Sequence, residues 1–223
     1  MRTEHLQSRI VARSALKRFI DLTIASLLFL LLSPLLLILA ILVRLDSPGN
    51  PLFTQVRVGR QGAPYTIFKL RTFHVQYFGL FPSEEIRTGD HRVTRVGQWF
   101  RRSKVDELPQ LLNVVLGDMA LVGPRPDIPL QAQHYSPDDK RRLLVRPGLT
   151  GVAQISGNTW LSWQQRIRLD QWYVDNRSLR LDLRILVETI PVLLRGERPT
   201  DDPLRLRAML FETGGCQSRS NCD

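Results

Sequence analysis

Residues 22–43 read LTIASLLFLLLSPLLLILAILV, with no charged position and very little polarity. About 20 apolar residues suffice to cross a bilayer as a helix, so the run is long enough. A helix buried in a soluble core rarely stays apolar on every face over such a length. A secretion signal also fits poorly, because the run exceeds the usual apolar stretch and no small-residue cleavage site precedes Arg44 and Asp46. Ser33-Pro34 stands at its midpoint. Proline removes a backbone donor and clashes with the preceding turn, so a kink is expected there, with the Ser33 hydroxyl placed to satisfy a freed carbonyl. Arg9, Arg13, Lys17 and Arg18 lie before the run, and Arg44, Arg57 and Arg60 after it. Basic residues collect on the cytoplasmic side of a membrane, so a simple span leaves one flank on the wrong face. A kinked helix that enters and leaves through one leaflet does not, and the pattern leaves both topologies open.

Beyond the run the periodicity changes. Residues 46–51, DSPGNP, are dense in turn formers and end the apolar element. LFTQVRVG and APYTIFKLRTF are β-prone runs joined by a Gly-Arg-Gln-Gly turn, which predicts a hairpin. Lys69 and Arg71 share one parity at the end of the second strand, where two cations meet a phosphate or simply line an exposed face. Residues 74–94 hold Gly79, Pro82 and Gly89 with little periodicity, which reads as a long loop, and a short helix is expected over residues 96–102.

The next stretch is RRSKVDELPQLLN, residues 101–113. Ser103 precedes Asp106 by the spacing of a capping box, and Leu108, Leu111, Leu112 and Val115 recur on one helical face. A helix is therefore expected to start here, with Asp106 and Glu107 in its first turn and Pro109 tolerated beside them. GDMALVGPRP, residues 117–126, predicts a short strand running into a rigid turn. Over residues 162–196, Trp, Tyr, Arg and aliphatic residues alternate at helical spacing. Ile185, Val187, Ile190, Val192, Leu193 and Leu194 suit either core packing or a helix lying in a membrane interface.

The chain has 223 residues, room for one domain with a real core plus an appendage. Lys and Arg outnumber Asp and Glu by 31 to 21, a formal charge of +10. That excess implies a polyanionic neighbour: nucleic acid, an anionic membrane or a phosphorylated small molecule. Nucleic acid accounts for the charge but not for the apolar run, so no nucleic-acid partner is expected. The two cysteines, Cys216 and Cys222, sit in a tail that reads as disordered and form no metal-ligand or disulfide framework, which points to a reducing compartment.

Charge changes the reading of residues 101–113. Adjacent helical residues point about 100° apart, so Asp106 and Glu107 suit unequal roles. Arg101 and Arg102 lie within a turn or two and keep carboxylates ionised. An ionised carboxylate among fixed cations fits phosphoryl chemistry with a divalent ion. Arg125, locked between Pro124 and Pro126, presents its planar fork to a phosphate or carboxylate at little ordering cost. Arg146, followed by a proline-glycine turn, repeats the idea.

Taken together, KRFID (residues 17–21), Ser33-Pro34, FKLRT (68–72), DELPQLLNVVLGDMALVGPRP (106–126) and RPGLTGVAQISG (146–157) resemble the bacterial sugar transferase family, the small monotopic phosphoglycosyl transferases. The likeness covers residues 17–196, and the order and spacing of the motifs make it specific. It implies an α+β fold: a re-entrant membrane helix-break-helix over residues 22–45 after a basic segment (1–21), then a mainly helical cytoplasmic domain (46–200) with a small β-hairpin and interfacial amphipathic helices, then a tail (201–223). It implies a ping-pong reaction in which Asp106 attacks the β-phosphate of a UDP-sugar and releases UMP. Polyprenyl phosphate then takes the phosphosugar, with Glu107 orienting or deprotonating the lipid phosphate and Mg²⁺ held by Asp106 and Glu107. Lys69, Arg71, Arg101, Arg125 and Arg146 are the implied substrate-binding cations. Lys17, Arg18, Asp21, Ser33 and Pro34 form the implied membrane-edge motif. The resemblance favours the re-entrant topology, with both termini cytoplasmic, membrane lipids as partners and a homo-oligomer allowed. One departure is Lys104-Val105, where many relatives have Ser-Leu. A catalytically silent membrane scaffold is the alternative reading, and no residue singles out the sugar.

Overall fold

The computed structural model describes residues 2–77 and 90–196, with side chains from residue 15 onward. Most of the expected loop over 74–94, the tail and both cysteines lie outside the described residues. Helix α1 (Arg2–Asp46) leads into a hairpin of β1 (Leu52–Val58) and β2 (Pro64–Leu70). Then follow α2 (Arg95–Ser103), α3 (Gln110–Leu116), β3 (Ala120–Val122), the short α4 (Pro129–Ala132), β4 (Gly148–Thr150), the short α5 (Val152–Ile155), α6 (Trp163–Asn176) and α7 (Leu179–Arg195). Mixed helix and strand, mainly helical, is the expected make-up. Strands β1 and β2 pair antiparallel from Leu52 opposite Leu70 to Val58 opposite Pro64, as the turn residues predict. Strands β3 and β4 pair in parallel, Ala120 opposite Gly148 and Val122 opposite Thr150.

Helix α1 differs from expectation in one respect. The helix runs unbroken through Pro34, where the sequence suggests two helices with a break. Proline at this position deprives the Leu30 carbonyl of its donor four residues on, and the Ser33 hydroxyl donates to that carbonyl at 2.7 Å. One substitute bond replaces the lost one, so the proline is carried inside the helix. Residues from Ala15 to Asp46 are long and apolar enough to cross a membrane, and the window is almost wholly unburied by protein. Leu27, Leu30, Leu31, Leu37, Ile38 and Ile41 are all exposed.

Both ends of that run are fastened to the same domain. On the N-terminal side Arg18 donates to the Val114 and Val115 carbonyls in the last turn of α3, where a cation suits the negative helix end. Lys17 bridges Asp21 and Asp182, and Tyr173 donates to Asp182 from below. Ala25 is fully buried in the main core with Leu111, Val114, Met119, Val122 and Ile185. On the C-terminal side Leu39 and Val43 pack with Leu70 and Phe100. Asp46 accepts from the Val96 backbone N–H at 3.0 Å while Thr94 accepts from Gly97, so together they cap α2. Helix α7 divides its apolar residues: Leu181 and Ile185 are buried, while Leu183, Val187, Ile190 and Leu194 form an exposed stripe. Core packing, one of the two readings open for this segment, thus holds on one face, and the other face leaves its apolar residues exposed.

Candidate active site

Lys104 adopts a left-handed conformation (φ 58°) and stops α2. A single 3-10 turn, Val105–Glu107, follows, and α3 begins only after Pro109. Asp106 and Glu107 thus stand one turn ahead of the helix that the sequence expects them to start. The capping box is absent because Ser103 is the last residue of α2, and its hydroxyl donates back to the Trp99 and Phe100 carbonyls. Asn113 sets the distance between this turn and the hairpin. It is fully buried, donates to the Thr66 carbonyl at 2.7 Å and accepts from the Phe68 N–H at 3.1 Å. A side-chain amide here substitutes for a neighbouring strand along β2 and brings Lys69 under Glu107.

Glu107 is clamped. Its Oε1 accepts from Lys69 Nζ at 2.7 Å and from Arg125 Nη2 at 2.8 Å. Burial would raise its pKa, but the two cations win and hold the carboxyl well below the usual range. Asp106 is the opposite case. It is only 6% exposed, its Oδ1 is buried with no partner, and it accepts no hydrogen bond among the described residues. Burial, reinforced by the charge of Glu107, pushes its pKa up to about 6, against the pull of Lys69, Arg101 and Lys104. Arg101 lies over the Phe73 ring at 5.3 Å, and it makes no ion pair among the described residues. Its charge acts on both acids while its fork makes no hydrogen bond among the described residues.

Five of the expected site residues therefore meet: Asp106, Glu107, Lys69, Arg101 and Arg125. Arg71 is elsewhere. It is 0% exposed and donates to the Ser47 and Pro48 carbonyls and to the Ser47 hydroxyl, closing the end of α1. Parity misleads here because β2 ends at Leu70, so Arg71 turns inward. A Cβ on Gly49, which has φ +112°, would clash with the same guanidinium. Arg146 donates through Nε to the Gly117 carbonyl behind α3, beside Arg18 rather than at the acids. Lys17, Arg18 and Asp21 lie at the base of α1, as described above. Sequence reading missed Asn113, Arg57, Asp127, Arg142 and Asp170. Each works through contacts far along the chain, and the only local signal is a polar residue inside an apolar pattern, as Asn113 is between Leu112 and Val114.

For a divalent ion, the residues offer a partial fit. No group of three or more His, Cys, Asp or Glu residues converges among the described residues. Mg²⁺, however, is commonly held by one or two carboxylates with substrate phosphates and water completing its shell. The unpartnered Oδ1 of Asp106 meets that requirement, whereas Glu107 Oε1 is already shared by two cations.

The sequence model of the family described as bacterial sugar transferase matches residues 12–196. A UDP-glucose:undecaprenyl-phosphate glucose-1-phosphate transferase of Caulobacter vibrioides is 46% identical over 192 residues, covering 82% of this chain and 72% of that protein. The uncharacterized sugar transferase EpsL of Bacillus subtilis is 42% identical, covering 82% of this chain and 89% of that protein. A UDP-galactose-lipid carrier transferase of Erwinia amylovora is 39% identical, but the match spans only 41% of it. The chain belongs to the bacterial sugar transferase family and is an enzyme of the transferase class.

Proposed function

We propose that this enzyme transfers a sugar-1-phosphate from a UDP-sugar to polyprenyl phosphate and releases UMP. The observation that carries the reading is the asymmetry of the dyad, a desolvated Asp106 with an unpartnered oxygen beside a Glu107 already neutralised by Lys69 and Arg125. A carboxylate oxygen of Asp106 attacks the β-phosphorus. The bond from that phosphorus to the bridging oxygen breaks, UMP leaves with the electron pair, and an acyl phosphate joins Asp106 to the sugar phosphate. A phosphate oxygen of the lipid then attacks the same phosphorus, the acyl phosphate bond breaks and Asp106 is regenerated. Glu107 stays ionised throughout and holds Lys69 and Arg125 in place, a role its low pKa favours over proton transfer. Arg101 meets phosphate oxygens. Asp106 would hold Mg²⁺ together with substrate phosphates, and the ion would supply charge neutralisation to the transferring group.

The attachment of α1 supports a re-entrant element with both ends on one face, and the basic residues on both flanks favour the cytoplasmic one. Arg18 and Asp46, at opposite ends of the apolar run, hold α3 and α2 of one domain, so a spanning helix would drag this polar site into the bilayer. Relatives named for glucose, galactose and N-acetylgalactosamine all match, so the sugar is open. The test is UMP release from a panel of UDP-sugars with undecaprenyl phosphate and Mg²⁺, first without the lipid. A burst of one UMP per enzyme and a phosphosugar adduct absent from Asp106→Asn are expected. Lipid-dependent UMP release with no burst and no adduct rejects the covalent intermediate, and no release from any UDP-sugar rejects the reaction. Labelling of cysteines placed near residues 10 and 60 is expected on one face of the membrane; labelling on opposite faces rejects the re-entrant helix.

A further inference from the structure

The loop carrying Arg125 is held through its backbone. Pro124 and Pro126 have no N–H, so this segment is fixed chiefly through its carbonyls. Four successive carbonyls are all taken: Pro124 accepts from Gly148 N–H, Arg125 from Arg142 Nη2, Pro126 from Arg57 Nη1 and Asp127 from Val58 N–H. The four donors come from three elements, two on β1, one on β4 and one in the turn Asp139–Leu144, so independent parts of the domain converge on one loop.

Arg142 is the unusual member of this set. It is 4% exposed, and its guanidinium lies between two carboxylates, Asp127 through Nη1 and Asp170 through Nη2. Nη1 also donates to the Tyr135 hydroxyl at 2.7 Å, and that hydroxyl donates onward to Asp127 at 2.6 Å. The Arg142 carbon lies 5.6 Å from the centre of the Tyr135 ring. Nη2, the nitrogen that meets Asp170 from α6, is the one that reaches the Arg125 carbonyl at 2.7 Å. A flat fork locked by two acids and a phenol has no freedom to follow a moving loop. The Arg125 backbone is therefore fixed relative to α6, and its side chain reaches Glu107 from a set origin.

We propose that Arg142 is a positioning residue for the transfer reaction. It acts through Arg125, setting the guanidinium that clamps Glu107 and so the electrostatics around Asp106. The inference rests on the proposed reaction for its kinetic readout and on geometry alone for its stability readout. Lysine in place of arginine keeps the charge but cannot reach Asp127, Asp170, Tyr135 and the Arg125 carbonyl together.

Two double-mutant cycles test it on the full-length protein in detergent. In the kinetic cycle, Arg142→Lys is expected to lower kcat/KM for UMP release at least tenfold in the wild-type background and less than twofold in an Arg125→Ala background. A group that merely supports the fold would lower it equally in both, and that result overturns the proposal. In the stability cycle, thermal unfolding of Arg142→Lys, Glu107→Gln and the double variant is expected to be non-additive, and additivity overturns it. If Arg142→Lys does not fold, Tyr135→Phe replaces it in both cycles, with an expected two- to fivefold kinetic loss confined to the Arg125 background. If the wild type releases no UMP from any UDP-sugar, the proposed reaction fails, while the stability cycle still decides the positioning role.

Discussion

Two ionic clusters lie on either side of the Arg125 loop, and they use the same ingredients in opposite proportions. At the dyad, one acid, Glu107, sits between two cations, and Asp106 is left over. Behind the loop, one cation, Arg142, sits between two acids, and each acid is engaged. Burial holds Asp170 at about 6 even against Arg142, and Asp106 has a similar value. A displaced pKa alone would thus nominate both aspartates as functional, as structural ion networks often do. The partners decide between them: Asp170 has one oxygen on Arg142, whereas Asp106 has no hydrogen bond among the described residues. The first cluster leaves Asp106 with no cation bonded to it, whereas in the second both acids are bonded to Arg142, although Asp170 Oδ1 is itself buried without a partner.

Breaking each cluster should therefore give different kinds of loss. The largest effect expected is on turnover. Asp106→Asn should cut UMP release by roughly 10³-fold or more, since the attacking oxygen loses its charge. The same protein should remain folded by circular dichroism and size-exclusion chromatography. Next comes Arg142→Ala, expected to cost about 3–5 kcal/mol in reversible unfolding because Asp170 stays buried, and Asp127 half-buried, without their cation. A loss under about 1 kcal/mol would mean that the second cluster is not the anchor its geometry describes.

The two clusters also differ in how far the sequence reveals them. The hairpin, the helix at 95–103 and the strand at 120–122 follow from period, turn residues and β-branched runs, and all fall where such signals put them. The carboxylate pair and Arg125 were legible because adjacency and flanking prolines are local features. The Arg142 cluster joins residues 127, 135, 142 and 170, which no local spacing connects. Lys69 and Arg71 looked alike two residues apart, yet one reaches Glu107 and the other closes the end of α1, because strand parity stops where the strand stops. Ser103 had the spacing of a cap but belonged to the helix before it, which Lys104 ends by taking a left-handed φ that composition does not announce.

A smaller effect concerns the cost of keeping Asp106 ready. Its carboxyl moves from 3.8 to about 6 on folding, so the proton favours the folded state. That contribution is fully present below about pH 4 and is lost as pH rises through about 6. Asp106→Asn removes the charge that must otherwise be buried. It should stabilise the protein by about 1–3 kcal/mol at pH 8, and the gain should shrink steadily towards pH 4. Thermal melts of both proteins across that range check it. A gain independent of pH would mean that something other than the buried charge is responsible. Asp170→Asn should show no such gain, since it removes a partner of Arg142.

The smallest expected effect is at Lys104, whose charge bears on Asp106 and whose φ turns the backbone ahead of the dyad. Its cation favours the ionised form of Asp106, so removing it should raise the Asp106 pKa. Asparagine at this position is neutral and tolerates the left-handed conformation that lysine adopts there at φ 58°. Lys104→Asn should then move the acid limb of kcat/KM upward from about pH 6 by less than one unit. At pH 8, where Asp106 is ionised in either case, activity should be nearly the same. A pH profile of UMP release checks all of this in one series. A limb that stays in place would show that the Lys104 charge does not reach the nucleophile, and that burial, Glu107, Lys69 and Arg101 set it.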